Sequence, residues 1–161
     1  MKKKALKIAV FILFLFLTLF LLNLEVTVKQ GIDYQVNIKK IPVYLKVLDF
    51  FDRHYNYKYL ANTIVKGIND PEDKAVKILE WTRANIRHTP EGLPVVDDHV
   101  WYIIVRGYGK DDQTQDVFTT LCNYAGMHAF FDYLKDKNGR KKPLSMVKVG
   151  NKWRVFDAYN G

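Results

Sequence analysis

The residues able to do chemistry are few, and they gather in one stretch. Residues 106–126 read Arg106-Gly-Tyr-Gly-Lys-Asp-Asp-Gln-Thr-Gln-Asp-Val-Phe-Thr-Thr-Leu-Cys-Asn-Tyr-Ala-Gly126. A glycine-punctuated loop leads to two adjacent carboxylates, then to a helical pattern that a glycine stops. Asp111 and Asp112 suit a helix start, because a carboxylate accepts orphan backbone N–H groups and faces the positive end of the helix dipole. Gly126 suits the helix end, where the left-handed conformation is needed. Offsets of four, seven and eleven place Asp111, Gln115, Phe118 and Cys122 on one stripe. A helix N-terminus is also where a cysteine thiolate is stabilised. Here a carboxylate stands at that point, and a carboxylate satisfied as a cap is a poor nucleophile.

Other reactive side chains are scattered. The single cysteine, Cys122, excludes an internal disulfide and any CxxC metal or redox motif. It lies roughly 16 Å along the helix axis from Asp111, so it reads as a core thiol. His54 and His88 fall near helix ends, where partial positive charge complements the dipole. His99 and His128 flank the central stretch and read as satisfied or solvent-facing. No two histidines have the helical spacing of a metal site, so no metal and no cofactor is expected. Asp111, Asp112, Gln113, Trp101 and His128 are the candidate ligand-binding residues. The chain holds 10 Tyr, 10 Phe and 3 Trp, more than a small core needs, and aromatic groove walls suit sugars or extended peptides.

The elements that must position these residues follow from periodicity. Residues 25–41 alternate in places (Val26/Val28, Val36/Ile38) and fit either a short strand pair or an extended linker. A helical pattern starts after Pro42, breaks over 52–57 and resumes through Tyr59, Leu60, Ile64 and Ile68. Asp70-Pro71-Glu72-Asp73 is a helix start with cap, N1 proline and dipole-complementing acids, and Pro90 and Gly92 close that helix. A short apolar helix over 99–106 is capped by Asp97 or Asp98. After Gly126 the period becomes two: a strand over 127–134, a turn at 136–139, a strand over 144–149 and a third over 152–157. Helices followed by an antiparallel meander give an α+β domain in which the central helix packs on a small sheet. Trp153 is expected in the core against that helix. The last strand ends close to Gly161, an abrupt end for a sheet, which leaves a truncation at the C-terminus open.

At the N-terminus, Met1-Lys-Lys-Lys-Ala-Leu-Lys7 precedes an apolar run over residues 8–24. That length suits a membrane-spanning helix of about 17–25 residues, and no small-residue cleavage signature follows it. The reading is a signal-anchor at 1–24, a linker and helical lead-in at 25–69, and a globular domain at 70–161. The basic cluster places the N-terminus in the cytoplasm and the domain in the periplasm or outside the cell. Of the net charge of +8, Lys2, Lys3, Lys4 and Lys7 supply four, leaving +4 over the rest. That is an ordinary solvated surface, and nucleic acid is excluded as a partner.

Four landmarks in this order resemble the transglutaminase-like superfamily, a papain-related group, over residues 70–161. They are the helix Lys74-Ala-Val-Lys-Ile-Leu-Glu-Trp-Thr-Arg-Ala-Asn-Ile-Arg87, the Gly-x-Gly-x-x-Asp-Gln entry at 107–113, the strand start Ala125-Gly-Met-His-Ala-Phe130, and Gly150-Asn-Lys-Trp-Arg-Val-Phe-Asp157. The resemblance implies a transglutaminase-like core and a Cys-His-Asp site performing acyl transfer through a thioester. Carried onto this chain, the cysteine position falls on Asp111, the histidine position on Leu144 and the aspartate position on Asp157. Only the orienting member is present. The leading expectation is therefore a catalytically inactive, membrane-anchored domain that binds a peptide, a polysaccharide or an envelope protein. An active cysteine-type acyl transferase or peptidase is the alternative, and a structural subunit of a membrane complex is the second.

Overall fold

The computed structural model describes residues 2–32, 35–93, 99–135 and 139–160. Helix α1, Lys2–Asn23, is long and apolar enough over Lys3–Leu22 to cross a membrane, and none of that window is buried. Residues 25–41, open between two readings in the sequence, form a hairpin of β1 (Glu25–Ile32) and β2 (Gln35–Pro42), paired antiparallel from Glu25↔Pro42 inward. The backbone N–H of Val43 donates to the carbonyl of Leu24 at 2.9 Å. The hairpin is thus an excursion, and helix α2 (Val43–Ile64) begins where α1 ends.

Helix α2 runs unbroken through the expected break at 52–57. No proline or glycine interrupts residues 43–64, and extending an existing helix by a polar residue costs little. Tyr57, inside the expected break, is one of the helix's buried anchors. Helix α3, Pro71–Asn85, starts as its sequence signals: the Asp70 carboxylate accepts from the N–H of Glu72 at 2.8 Å and of Asp73 at 3.0 Å. It ends before Pro90, because Ile86 turns extended to enter the core and leads into β3, Arg87–His88. β3 pairs in parallel with β4, Tyr108–Gly109, which follows helix α4, Val100–Arg106. Asp97 and Asp98 lie outside the described residues, and the N-cap of α4 is His99, whose ring accepts from the N–H of Trp101 at 3.3 Å.

Helix α5, Asp111–Tyr124, is the centre of the molecule. It touches α2, α3, α4, β5 (Ala129–Lys135) and β6 (Lys141–Val149). Its Val117, Phe118, Leu121 and Cys122 are fully buried against Ala61 of α2, Ala75 and Ile78 of α3, Ile103 of α4 and Val147 of β6. Burying a side chain such as Phe118 stabilises by about 1.5–3 kcal/mol, so this helix carries much of the fold. Gly126 stops it at φ 86°, with the N–H of Met127 returning to the carbonyl of Cys122 at 3.0 Å.

The sheet is the expected meander, β5-β6-β7, with β7 at Lys152–Phe156. Strand β6 begins three residues earlier than its alternation indicates. Trp153 does not join the core. Phe156 packs on Phe118 with ring centroids 5.4 Å apart, and a residue three positions away on a strand faces the other side. Trp153 therefore stands half exposed on the outer face, edge-to-face with Phe130 at 5.2 Å.

Candidate functional site

The loop before α5 is built tightly. Gly107 adopts φ 71° at the end of α4. A Cβ on Gly109 would meet Gln113 and Ile103 side-chain atoms at 3.2 Å, so only glycine fits without a shift. The carbonyls of Gly107 and Gly109 accept from the N–H of Arg87 at 2.9 Å and of Thr89 at 3.1 Å, tying the loop to β3. Gln113, a candidate ligand residue, is buried. Its Oε1 accepts from the N–H of Lys110 and from Nη2 of Arg106, each at 3.0 Å.

The N-cap of α5 is Lys110, one residue before the two carboxylates expected there. Asp111 and Asp112 occupy the first turn, where their charge still complements the dipole. Each accepts from the next backbone N–H, at 2.9 Å for Asp112 and 2.8 Å for Gln113. The second oxygen of Asp112 accepts from the Tyr133 hydroxyl at 3.2 Å. Asp111 is exposed at the helix start.

One turn further on, Gln115 is fully buried and joins three segments. Its Oε1 accepts from the Ser145 hydroxyl at 2.6 Å and from the N–H of Ala158 at 3.2 Å, while its Nε2 donates to Asp157 Oδ1 at 3.2 Å. The same Asp157 oxygen accepts from the N–H of Tyr159 at 3.2 Å and of Asn160 at 3.0 Å. Its other oxygen is ion-paired with the Lys142 ammonium. Burial pushes the Asp157 carboxyl up, but the Lys142 ammonium and the Asn160 donors outweigh it and leave it below the usual carboxylate range. Leu144 lies one step beyond the Ser145↔Phe156 pair, beside Asp157. The side chain that reaches the carboxylate is that of Lys142, two residues earlier on the same strand face.

Beside this network opens a cleft of about 430 Å³ lined by Arg83, Ile86, Arg87, His88, Ala158, Tyr159 and Asn160. The Tyr159 ring stacks on His88 at 3.9 Å, and His88 Nε2 donates to the Tyr159 carbonyl at 3.0 Å. Burial and the neighbouring Asp111 charge together raise the Tyr159 phenol above its ordinary pKa, which ties Asp111 to the rim of the cleft. Arg83 and Arg87 are exposed, and neither guanidinium has a hydrogen-bonding or acidic partner among the described residues.

Asp111 and Asp157 are thus brought to one side of the first turns of α5. Trp101 and His128 are not. Trp101 packs edge-to-face on Tyr57 at 5.6 Å, and Tyr57 in turn touches Tyr124 at the other end of α5. His128 is exposed beyond that end, about 20 Å or more along the axis from Asp111. Cys122 has no exposed surface, and burial raises its thiol far above the usual range. Among the described residues no group of three His, Cys, Asp or Glu is placed to hold a metal. Gln115, Ser145, Lys142 and Tyr159 entered the site without a sequence signal of their own, although Gln115 shares the helix stripe of Asp111.

The family profile described as the transglutaminase-like superfamily matches residues 58–158. Among solved structures, a candidate cysteine protease from Cytophaga hutchinsonii aligns with a TM-score of 0.55 at 18% identity, over 66% of this chain and 38% of that one. A candidate protease from Parabacteroides distasonis aligns with a TM-score of 0.51 at 14% identity, over 82% and 35%. At these identities the two show the fold, and this chain spans little more than a third of either. No curated protein matches the sequence. With the family profile running from the last turns of α2 through the last strand, and the helix-on-meander architecture built around α5, this chain belongs to the transglutaminase-like superfamily.

Proposed function

We propose that this chain is a transglutaminase-like domain without acyl-transfer activity, anchored at the cell envelope by α1, and that it binds a peptide, polysaccharide or envelope protein at the cleft beside α5. The observation that carries the reading is the charge pair at the start of the site. Asp111 stands where a helix N-terminus would hold a thiolate, and a lysine rather than an imidazole faces Asp157.

Acyl transfer through a thioester needs a soft nucleophile and a base that can take its proton. An ammonium ion-paired to a carboxylate has no free lone pair for that work. Cys122 is sealed inside the core. Meanwhile the cleft offers two guanidinium groups unpartnered among the described residues, the His88–Tyr159 stack and the Asn160 amide. Guanidinium groups take carboxylates in bidentate fashion, so a ligand carrying carboxylates suits these walls.

The test uses the full chain in detergent micelles, titrated with a tetraglutamate peptide and with a tetragalacturonate oligosaccharide. Binding of one of them with a Kd of about 1 mM or tighter is expected. The Arg83→Ala/Arg87→Ala double variant should weaken it at least about tenfold, equivalent to about 1.4 kcal/mol. Binding unchanged in the double variant, or no binding of either probe, would sink the reading of this cleft.

A further inference from the structure

We propose that the outer face of α2 lies on the bilayer, so that two elements hold the domain to the membrane. This rests on α1 being membrane-embedded, and it concerns a surface separate from the cleft.

Helix α2 is apolar on two opposite faces. One face, with Tyr57 and Ala61 buried and Leu60 and Ile64 packed beside them, seats on the core. The other carries Tyr44, Leu48, Phe51, Tyr55 and Tyr59, whose spacings of four, three, four and four keep them on one stripe. Among the described residues nothing covers that stripe: Leu48 is 59% exposed, Phe51 63%, Tyr55 67% and Tyr59 65%. A contiguous apolar stripe left exposed marks an interaction surface.

The position of the stripe names its occupant. Val43 is hydrogen-bonded to Leu24, the first residue after α1. The start of α2 is therefore fixed at the point where the chain leaves the lipid. At 1.5 Å per residue, Tyr44 to Phe51 lie within about 12 Å of that point, which is the depth of the headgroup region and its margin. The flanks agree. Between residues 39 and 66 stand Lys39, Lys40, Lys46, Arg53, Lys58 and Lys66 against only Asp49 and Asp52. Tyrosines with basic neighbours are the composition of an interfacial helix, the rings at headgroup level and the long cations reaching outward. In two copies of α2 packed face to face, Lys58 would stand beside the stripe of each. An apolar crevice of about 390 Å³ at the base of the hairpin, walled by Val26, Val47, Phe50 and Phe51, continues the same surface.

The arrangement also sets the pose of the central helix. His54 is hydrogen-bonded to the Tyr124 hydroxyl at 3.0 Å, and the Tyr57 and Tyr124 rings lie 5.1 Å apart. The C-terminal end of α5 is thereby fastened to the membrane-lying helix. The Asp111 end and its cleft lie about 20 Å farther along the axis.

The experiment places a nitroxide label at single introduced cysteines in the full chain, reconstituted in phosphatidylcholine–phosphatidylglycerol vesicles. The positions are Leu48→Cys and Tyr55→Cys on the stripe, Phe14→Cys in α1 and Glu80→Cys on α3, with the buried Cys122 left in place. Collision with membrane-dissolved oxygen is compared with collision with a water-soluble nickel chelate. The expected result is a lipid signature at positions 14, 48 and 55 and an aqueous one at 80. Aqueous signatures at 48 and 55 with lipid at 14 would overturn the proposal alone. An aqueous signature at 14 would overturn the membrane reading of α1 and the proposal with it. Exclusion of both reagents at 48 and 55, with spin–spin broadening between labels, would show that a second copy covers the stripe and would also overturn it.

Discussion

Gln115 is the residue on which the site's geometry turns. One buried amide oxygen serves the Ser145 hydroxyl and the Ala158 N–H, and the amide nitrogen holds Asp157. Replacing it by leucine keeps the volume and takes this partner from the buried Ser145 hydroxyl and Ala158 N–H, while Asp157 keeps Lys142, Tyr159 and Asn160. Each unsatisfied buried group costs about 1–3 kcal/mol. Gln115→Leu should therefore lower stability by about 2–4 kcal/mol in urea denaturation. Asp157 gives a pH signature. Its carboxyl, raised by burial but lowered further by Lys142 and Asn160, titrates below its unfolded value in the folded chain. A lowered folded pKa stabilises above the unfolded value of about 3.9, and that contribution fades as pH falls through and below it. Asp157→Asn should be less stable than the parent at neutral pH, with the gap closing below about pH 4. A gap that stayed constant with pH would remove the ion pair from the explanation. At this scale the sequence was half legible. Spacing from Gly126 and Trp153 singles out Asp111 and Asp157 as candidates. The group facing Asp157 could not be singled out so, because a lysine's reach across a strand edge depends on register and length, and the position inferred for it held Leu144.

Among the elements, the legible ones carry their own chemical punctuation. Asp70-Pro71 starts α3 through a side-chain cap and an N1 proline, and Gly126 ends α5 in a left-handed conformation that few residues adopt. Gly126→Ala forces a left-handed conformation on a side-chain-bearing residue, and should cost about 1–2 kcal/mol in thermal or urea unfolding although no neighbour would clash with the new methyl. An unchanged midpoint would mean that the Gly126 turn relaxes freely. The misread elements depend on partners distant in the chain. A polar interval looked like a break in α2, yet Tyr57 within it is anchored by Tyr124 and Trp101. Trp153 looked like a core residue by size, yet the phase of β7 is set by Phe156 against Phe118. The end of α3 is decided by the two-residue pairing of β3 with β4, which leaves no local signal.

For the whole molecule, the family frame is built around α5. Helix α5 sits amid three helices and the meander, as that fold requires, with a carboxylate at its start and a lysine opposite the last strand. The N-terminal apolar helix and the fold class were readable from composition and period. The proposed pose on the membrane rests on the Leu24–Val43 hydrogen bond and on the exposure of the outer stripe of α2, and both are set by tertiary contacts. The claim that unites these features is that this chain carries no available thiol nucleophile. The direct measurement is the rate at which Cys122 in the native full chain reacts with iodoacetamide from mildly acidic to alkaline pH. With the thiol fully buried and its ionisation suppressed, labelling should be slow throughout and should rise only as the protein unfolds. Rapid labelling of the folded protein at mildly acidic pH would reveal a stabilised thiolate, and would contradict the claim outright.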